Sequence, residues 1–138
     1  MQAGKGGGLK PKKVVEPSTW RWFGTPGHFI CARWCRFHLC TKVGRFLVST
    51  VGEYLHPYVL GARNEAEEAE YLRKNGYMKI GRARKYETMV FRAGKRCSCG
   101  CGLPRIAGPE LITLPANTAK DASANHYAAC LKWSKGAW

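Results

Sequence analysis

Residues 36–52 read Arg36-Phe37-His38-Leu39-Cys40-Thr41-Lys42-Val43-Gly44-Arg45-Phe46-Leu47-Val48-Ser49-Thr50-Val51-Gly52. Before Gly44 the pattern alternates. Successive side chains of an extended chain point to opposite faces, so Phe37, Leu39, Thr41 and Val43 share one face and Arg36, His38, Cys40 and Lys42 the other. Gly44 supplies a turn, and the β-branched run after it favours a second strand. The stretch predicts a β-hairpin whose basic face is turned to solvent, and it makes an antiparallel sheet the base of the fold.

Working outward, Pro57 and Gly61 indicate a loop, and Asn64 opens a helix over 64–74. Asn64 and Glu67 have capping-box spacing, acids fill the first turn, Arg73 and Lys74 fill the last, and Asn75-Gly76 ends it. Its apolar stripe of Ala66, Ala69 and Leu72 is thin, which predicts light packing. Tyr77 to Arg82 and Tyr86 to Arg92 read as a second hairpin across Arg82-Ala83-Arg84-Lys85. Pro104, Gly108, Pro109 and Pro115 then indicate irregular chain. Asn117 or Thr118 caps a last helix reaching about Trp133, with an inner stripe of Ala122, His126, Ala129, Cys130 and Trp133.

Upstream, residues 1–18 combine three consecutive glycines with Lys10-Pro11-Lys12-Lys13, a composition expected to form a flexible basic tail. Trp20, Trp22 and Phe23 follow. They offer stacking surfaces for bases, but closing one end of a core is the preferred reading. The expected fold is a single α+β domain over 19–138, a small antiparallel sheet of two β-hairpins with two helices.

The chain of 138 residues carries 23 Lys and Arg against nine Asp and Glu, a formal charge of +14. Four of the nine acids fall within Asn64 to Lys74. Elsewhere 21 basic residues face five acidic ones. Such a field favours phosphate-bearing or acidic partners. No run of about 18 apolar residues suggests a membrane span. The N-terminal residues lack the apolar core of a secretory signal, so the expected compartment is a reducing cytoplasm, where seven cysteines are better explained by metal or burial than by disulfides.

The cysteines concentrate in Arg96-Cys97-Ser98-Cys99-Gly100-Cys101-Gly102, where two glycines permit a tight turn. Structural zinc takes four Cys or His ligands, commonly two from a turn and two from a helix. Cys97, Cys99 and Cys101 supply the turn, and His126 and Cys130, four apart on a helix, supply the second pair. Zinc at this site is the expectation, although the spacing is not a standard signature and His126 also reads as a core histidine. Cys31, Cys35 and His38 form a second candidate cluster. Glu53, His56 and Glu87 sit in no recognised catalytic motif, so an enzyme is the minority reading.

Four strings, Cys35-Arg36-Phe37-His38-Leu39, Leu47-Val48-Ser49-Thr50-Val51-Gly52-Glu53-Tyr54, Lys85-Tyr86-Glu87-Thr88-Met89-Val90-Phe91 and Cys99-Gly100-Cys101-Gly102-Leu103-Pro104, resemble a group of small uncharacterised proteins of tailed-bacteriophage and prophage genomes. The resemblance spans roughly residues 20–134 and carries no activity. It implies a viral accessory protein acting in the cytoplasm of a bacterial host.

The expected function is non-catalytic nucleic-acid binding, DNA or RNA, through a basic surface on a zinc-stabilised domain. Arg36, Lys42 and Arg45 on the first hairpin, and Arg82, Arg84, Lys85, Arg92, Lys95 and Arg96 around the second, would contact phosphates, with Trp34 or Tyr86 stacking. The alternative is an antidefence protein that binds and inhibits a host protein. A zinc-dependent hydrolase comes third, since it needs an open coordination position.

Overall fold

The computed structural model describes residues 14–24, 34–56, 64–80, 84–98 and 102–136. After a short 3-10 turn at Pro17–Thr19, five strands follow: β1 (Arg21–Phe23), β2 (Cys35–Val43), β3 (Phe46–Tyr54), β4 (Tyr86–Arg96) and β5 (Pro104–Ala116). Helix α1 (Glu65–Asn75) lies between β3 and β4, and helix α2 (Ala119–Ser134) follows β5. The strands form one antiparallel sheet in chain order.

The first hairpin forms as the alternation requires. Val43 pairs with Phe46 across a two-residue turn in which Gly44 takes φ +58°. A side chain there would be strained and would also meet Val15 Cγ2 at 2.8 Å, so glycine is needed twice over. The second hairpin lies further along than the sequence suggests. Met78 makes only an isolated bridge to Tyr54, while β4 pairs with β5. The proline-containing stretch from 104 is therefore a strand. It tolerates its prolines because β5 is an edge strand, whose outer N–H groups have no partner to lose.

Strand β5 is bent. Between Val90↔Ile112 and Arg92↔Ala107, two steps along β4 match five along β5, so residues around Gly108, at φ +92°, bulge out. A second register shift falls between Ala93 and Arg96, where Gly94 lies so close to Arg105 O that a Cβ would sit 3.1 Å from it. These bends bring Leu103 back onto Cys40 and Leu47, with Phe23 and Ala93 packed alongside. The face of β2 that carries Arg36, His38, Cys40 and Lys42 is thus not a solvated basic face throughout, for Cys40 is fully buried.

The opposite face carries Val43, Phe46, Val48 and Val90, and α2 packs there through Ala129, Cys130 and Trp133. Thr118 caps α2 by accepting from Asp121 N at 3.1 Å. The Trp133 ring meets Phe46 edge-on with centroids 4.8 Å apart, a contact worth about 0.5–1.5 kcal/mol beyond its buried area. Trp20 joins this core. At the other end the Tyr86 ring covers Gly52, where an added Cβ would come within 2.0 Å of it. Its hydroxyl donates to Glu53 Oε2 at 3.1 Å, and burial together with that bond pushes the phenol up to about 12.

Helix α1 is capped as expected, Asn64 Oδ1 accepting from Glu67 N at 2.9 Å. None of its residues is buried, in keeping with its thin apolar stripe. Of the expected tail, residues 14–18 are docked, since Val15 N–H donates to Ser134 O at 2.8 Å; residues 1–13 lie outside the described residues. No helix among the described residues is long and apolar enough to cross a membrane.

Candidate nucleic-acid interface

Of the expected zinc ligands, the described ones, Cys97, His126 and Cys130, are not grouped. His126 projects from α2 into the sheet, fully buried, with Nδ1 2.7 Å from Thr50 Oγ1 and Nε2 2.8 Å from Thr41 Oγ1. Thr50 continues the chain to Thr88 Oγ1 at 2.7 Å. A neutral imidazole offers one N–H and one lone pair, so it is satisfied with these hydroxyls in either direction. Ligating a metal would break one of these buried bonds. Burial lowers His126 to about 4 and raises the thiols of Cys130 and Cys40 to about 12, so none of the three carries charge at neutral pH.

Cys97 lies elsewhere. Its N–H donates to Leu103 O at 2.8 Å, and Leu103 packs on the sheet face opposite α2. The sheet stands between Leu103 and His126. Cys99 and Cys101 lie outside the described residues, as does Cys31 of the second cluster. Cys35 is a packing residue against Val51 and Ile80, and His38 Nδ1 is buried without a hydrogen-bond partner. No three His, Cys, Asp or Glu among the described residues are grouped to hold a metal.

The arginines divide by what neutralises them. Arg36 is ion-paired with Glu68 of α1, which raises the guanidinium and lowers the carboxyl through their hydrogen bond. Arg84 pairs with Glu87 at 2.7 Å, and Arg73 with Glu70 at 2.6 Å. All three pairs lie on α1 or beside the start of β4. Lys42 Nζ is turned onto Gly44 O at 2.8 Å, Lys85 is half-buried, and Arg82 lies outside the described residues.

The opposite end of the sheet is basic. Arg45 occupies the β2–β3 turn, and its carbonyl accepts from Ala93 N–H at 2.8 Å, which holds the turn against β4 beside Arg92. Beyond the start of β3 the β4–β5 hairpin carries Lys95, Arg96 and Arg105, all exposed. The last turn of α2, anchored by Trp133 on Phe46, adds Lys132 and Lys135. The carboxylates on these segments are Glu16 and Glu110. Arg45 and Arg92 rim a cleft of about 640 Å³ whose apolar wall includes Val15, Phe46 and Trp133. Guanidinium forks pair with phosphate in two parallel hydrogen bonds, so this end suits phosphate groups.

Of the two expected stacking residues, Tyr86 is withdrawn from solvent and Trp34 is half-buried. Tyr86 is buried and bonded to Glu53, and the Trp34 ring lies 5.7 Å from that of His56. Among the described residues, Trp22 and Tyr127 are instead the exposed aromatics, at 53% and 51%. The Trp20-Trp22-Phe23 stretch signals aromatic surface but not which ring is left outside. Trp20 and Trp22 are two apart and both face α2, so alternation does not separate them; the packing of Trp20 among Val43, Phe46 and Trp133 does.

In comparisons with known proteins, the chain matches no family model, no curated protein and no solved structure.

Proposed function

We propose that this is a non-catalytic accessory protein of the phage type that binds nucleic acid through the basic end of its sheet. The observation that carries the reading is the segregation of charge. Arg36, Arg73 and Arg84 are neutralised by Glu68, Glu70 and Glu87, whereas Arg45, Arg92, Lys95 and Arg96 have no ion-pair partner among the described residues. With a formal charge of +14, the unneutralised cations dominate the field at that end. Of the nine residues expected to bind phosphate, these four are the ones retained.

Phosphate contacts release counterions, so binding falls steeply with salt. Gel shifts with duplex DNA, single-stranded DNA and RNA at about 50 mM and about 200 mM salt test the reading. Binding at the lower salt that weakens at the higher supports it. Absence of binding to all three at the lower salt removes it.

A further inference from the structure

We infer that the nucleic acid is single-stranded and that Trp22 and Tyr127 stack on its bases, an assignment that rests on the nucleic-acid reading above. The exposed large apolar side chains are unevenly distributed. Of the five among the described residues, Val14, Trp22, Tyr127 and Leu131 lie on or beside the flank between β1 and α2, and only Ile106 lies elsewhere.

Two ring contacts fix this flank. Trp22 tilts over His126 with centroids 5.5 Å apart, and Trp20 meets the next residue, Tyr127, edge-on at 5.8 Å. Trp22 and Tyr127 are thus neighbours on one surface, each backed by a buried ring. Backing matters, because a stacking platform must hold its orientation without its partner. Each residue keeps about half of its surface open to solvent, though burial would be the usual outcome for side chains of this size.

The flank leads to the basic end. Tyr127 and Leu131 are four apart on α2 and share a stripe that runs to the last turn, where Lys132 and Lys135 stand near Trp133 and Phe46. Beyond it lie Arg45 and Arg92. Cations that track a backbone, followed by exposed rings with room for bases, are the two components of single-strand recognition. Duplex DNA keeps its base faces stacked inside and could use only the cations. Charge complementarity argues against an apolar protein partner or a second copy, since both would bring this cationic end close to an apolar or equally cationic surface.

The test is fluorescence anisotropy with a labelled oligothymidine and an oligouridine of about 16 nucleotides, and with a mixed-sequence duplex of equal length. Wild type, Trp22→Ala, Trp22→Phe and Tyr127→Ala are compared, each first shown by circular dichroism and sedimentation to be folded and of wild-type mass. Wild type should prefer single strands. Trp22→Ala and Tyr127→Ala should each weaken single-strand binding by about tenfold while leaving duplex binding and the salt slope unchanged, and Trp22→Phe should retain most of it.

Equal single-strand affinity in wild type and the alanine variants overturns the stacking assignment and leaves the nucleic-acid reading standing. So does a wild-type preference for duplex. Failure of wild type to bind any of the three probes overturns both. A wild-type dimer that dissociates on Trp22→Ala assigns the flank to self-association and likewise overturns the inference.

Discussion

The carbonyl of Arg45 accepts the N–H of Ala93 at 2.8 Å, and this bond joins the tip of the first hairpin to β4 just where β3 begins. It places Arg45 and Arg92 on the rim of one cleft although 47 positions separate them in the chain. The described arginines at the far end of the sheet, Arg36, Arg73 and Arg84, are already occupied by carboxylates, so removing a charge should have opposite consequences at the two ends.

Arg84→Ala is expected to affect stability more than binding. Glu87 is buried, and its ion pair with Arg84 is the interaction that offsets desolvation of the carboxylate. Truncating the arginine leaves that charge unpaired, and partial exposure of Arg84 places the loss at about 1–3 kcal/mol, below that of a fully buried pair. Urea denaturation should show a lower midpoint at unchanged slope.

His126 makes stability depend on pH. Its folded value is about 4 against an ordinary 6.5, because burial disfavours the imidazolium. Above 6.5 both states are neutral and the contribution is fully present. As pH falls from 6.5 toward 4 the unfolded chain takes up a proton that the folded chain refuses. Roughly 2–4 kcal/mol should be lost across this window, with the loss levelling off below 4. Urea midpoints measured across the window test this. Thr50→Val, which strips one ring nitrogen and Thr88 of a shared partner, should by itself destabilise by about 1–3 kcal/mol.

Gly52→Ala should be among the most destabilising small substitutions. The added methyl would come within 2.0 Å of the Tyr86 ring, and that ring also packs edge-on against Phe37. Moving it would strain this packing and the hydrogen bond to Glu53, so a loss of about 3 kcal/mol is expected. Thermal melts of Gly52→Ala and of Gly52→Ala combined with Tyr86→Leu separate the clash from the backbone, since the smaller ring-free side chain should recover part of the loss.

Leu103→Ala probes how the bent hairpin is held. Leu103 is buried against Cys40 and Leu47, and its truncation should cost about 2–4 kcal/mol. The Cys40 thiol, raised by burial, should then react faster with a thiol reagent. Unchanged reactivity in a destabilised variant would contradict the covering role given to Leu103.

What could be read from the chain beforehand follows the range of the interactions. The first hairpin, α1 with its Asn64 cap and α2 are set by neighbours in sequence, and periodicity with capping chemistry locates them. The second hairpin is not local in this sense. Tyr77 to Arg82 has apolar and aromatic residues suited to a strand, but β4 finds its partner beyond the cysteine-rich turn. Pro104, Pro109 and Pro115 argue against a strand unless that strand is known to be at the edge. His126 and Cys130 have ligand spacing on a helix, yet spacing cannot show that Thr41 and Thr50 wait on the strands opposite. The same holds for the arginines expected to contact phosphate. Arg36 and Arg45 look equivalent in sequence, and only packing reveals that Glu68 reaches one of them.

The most direct measurement is the dependence of the binding constant on salt, by anisotropy, for wild type, the Arg45→Ala/Arg92→Ala double variant and Arg36→Ala. If the basic end contacts phosphates, the double variant should lose affinity and reduce the slope of log K against log salt by about 1.4–1.8, while Arg36→Ala leaves the slope unchanged. Equal slopes for the double variant and wild type, or a loss confined to Arg36→Ala, would contradict the account.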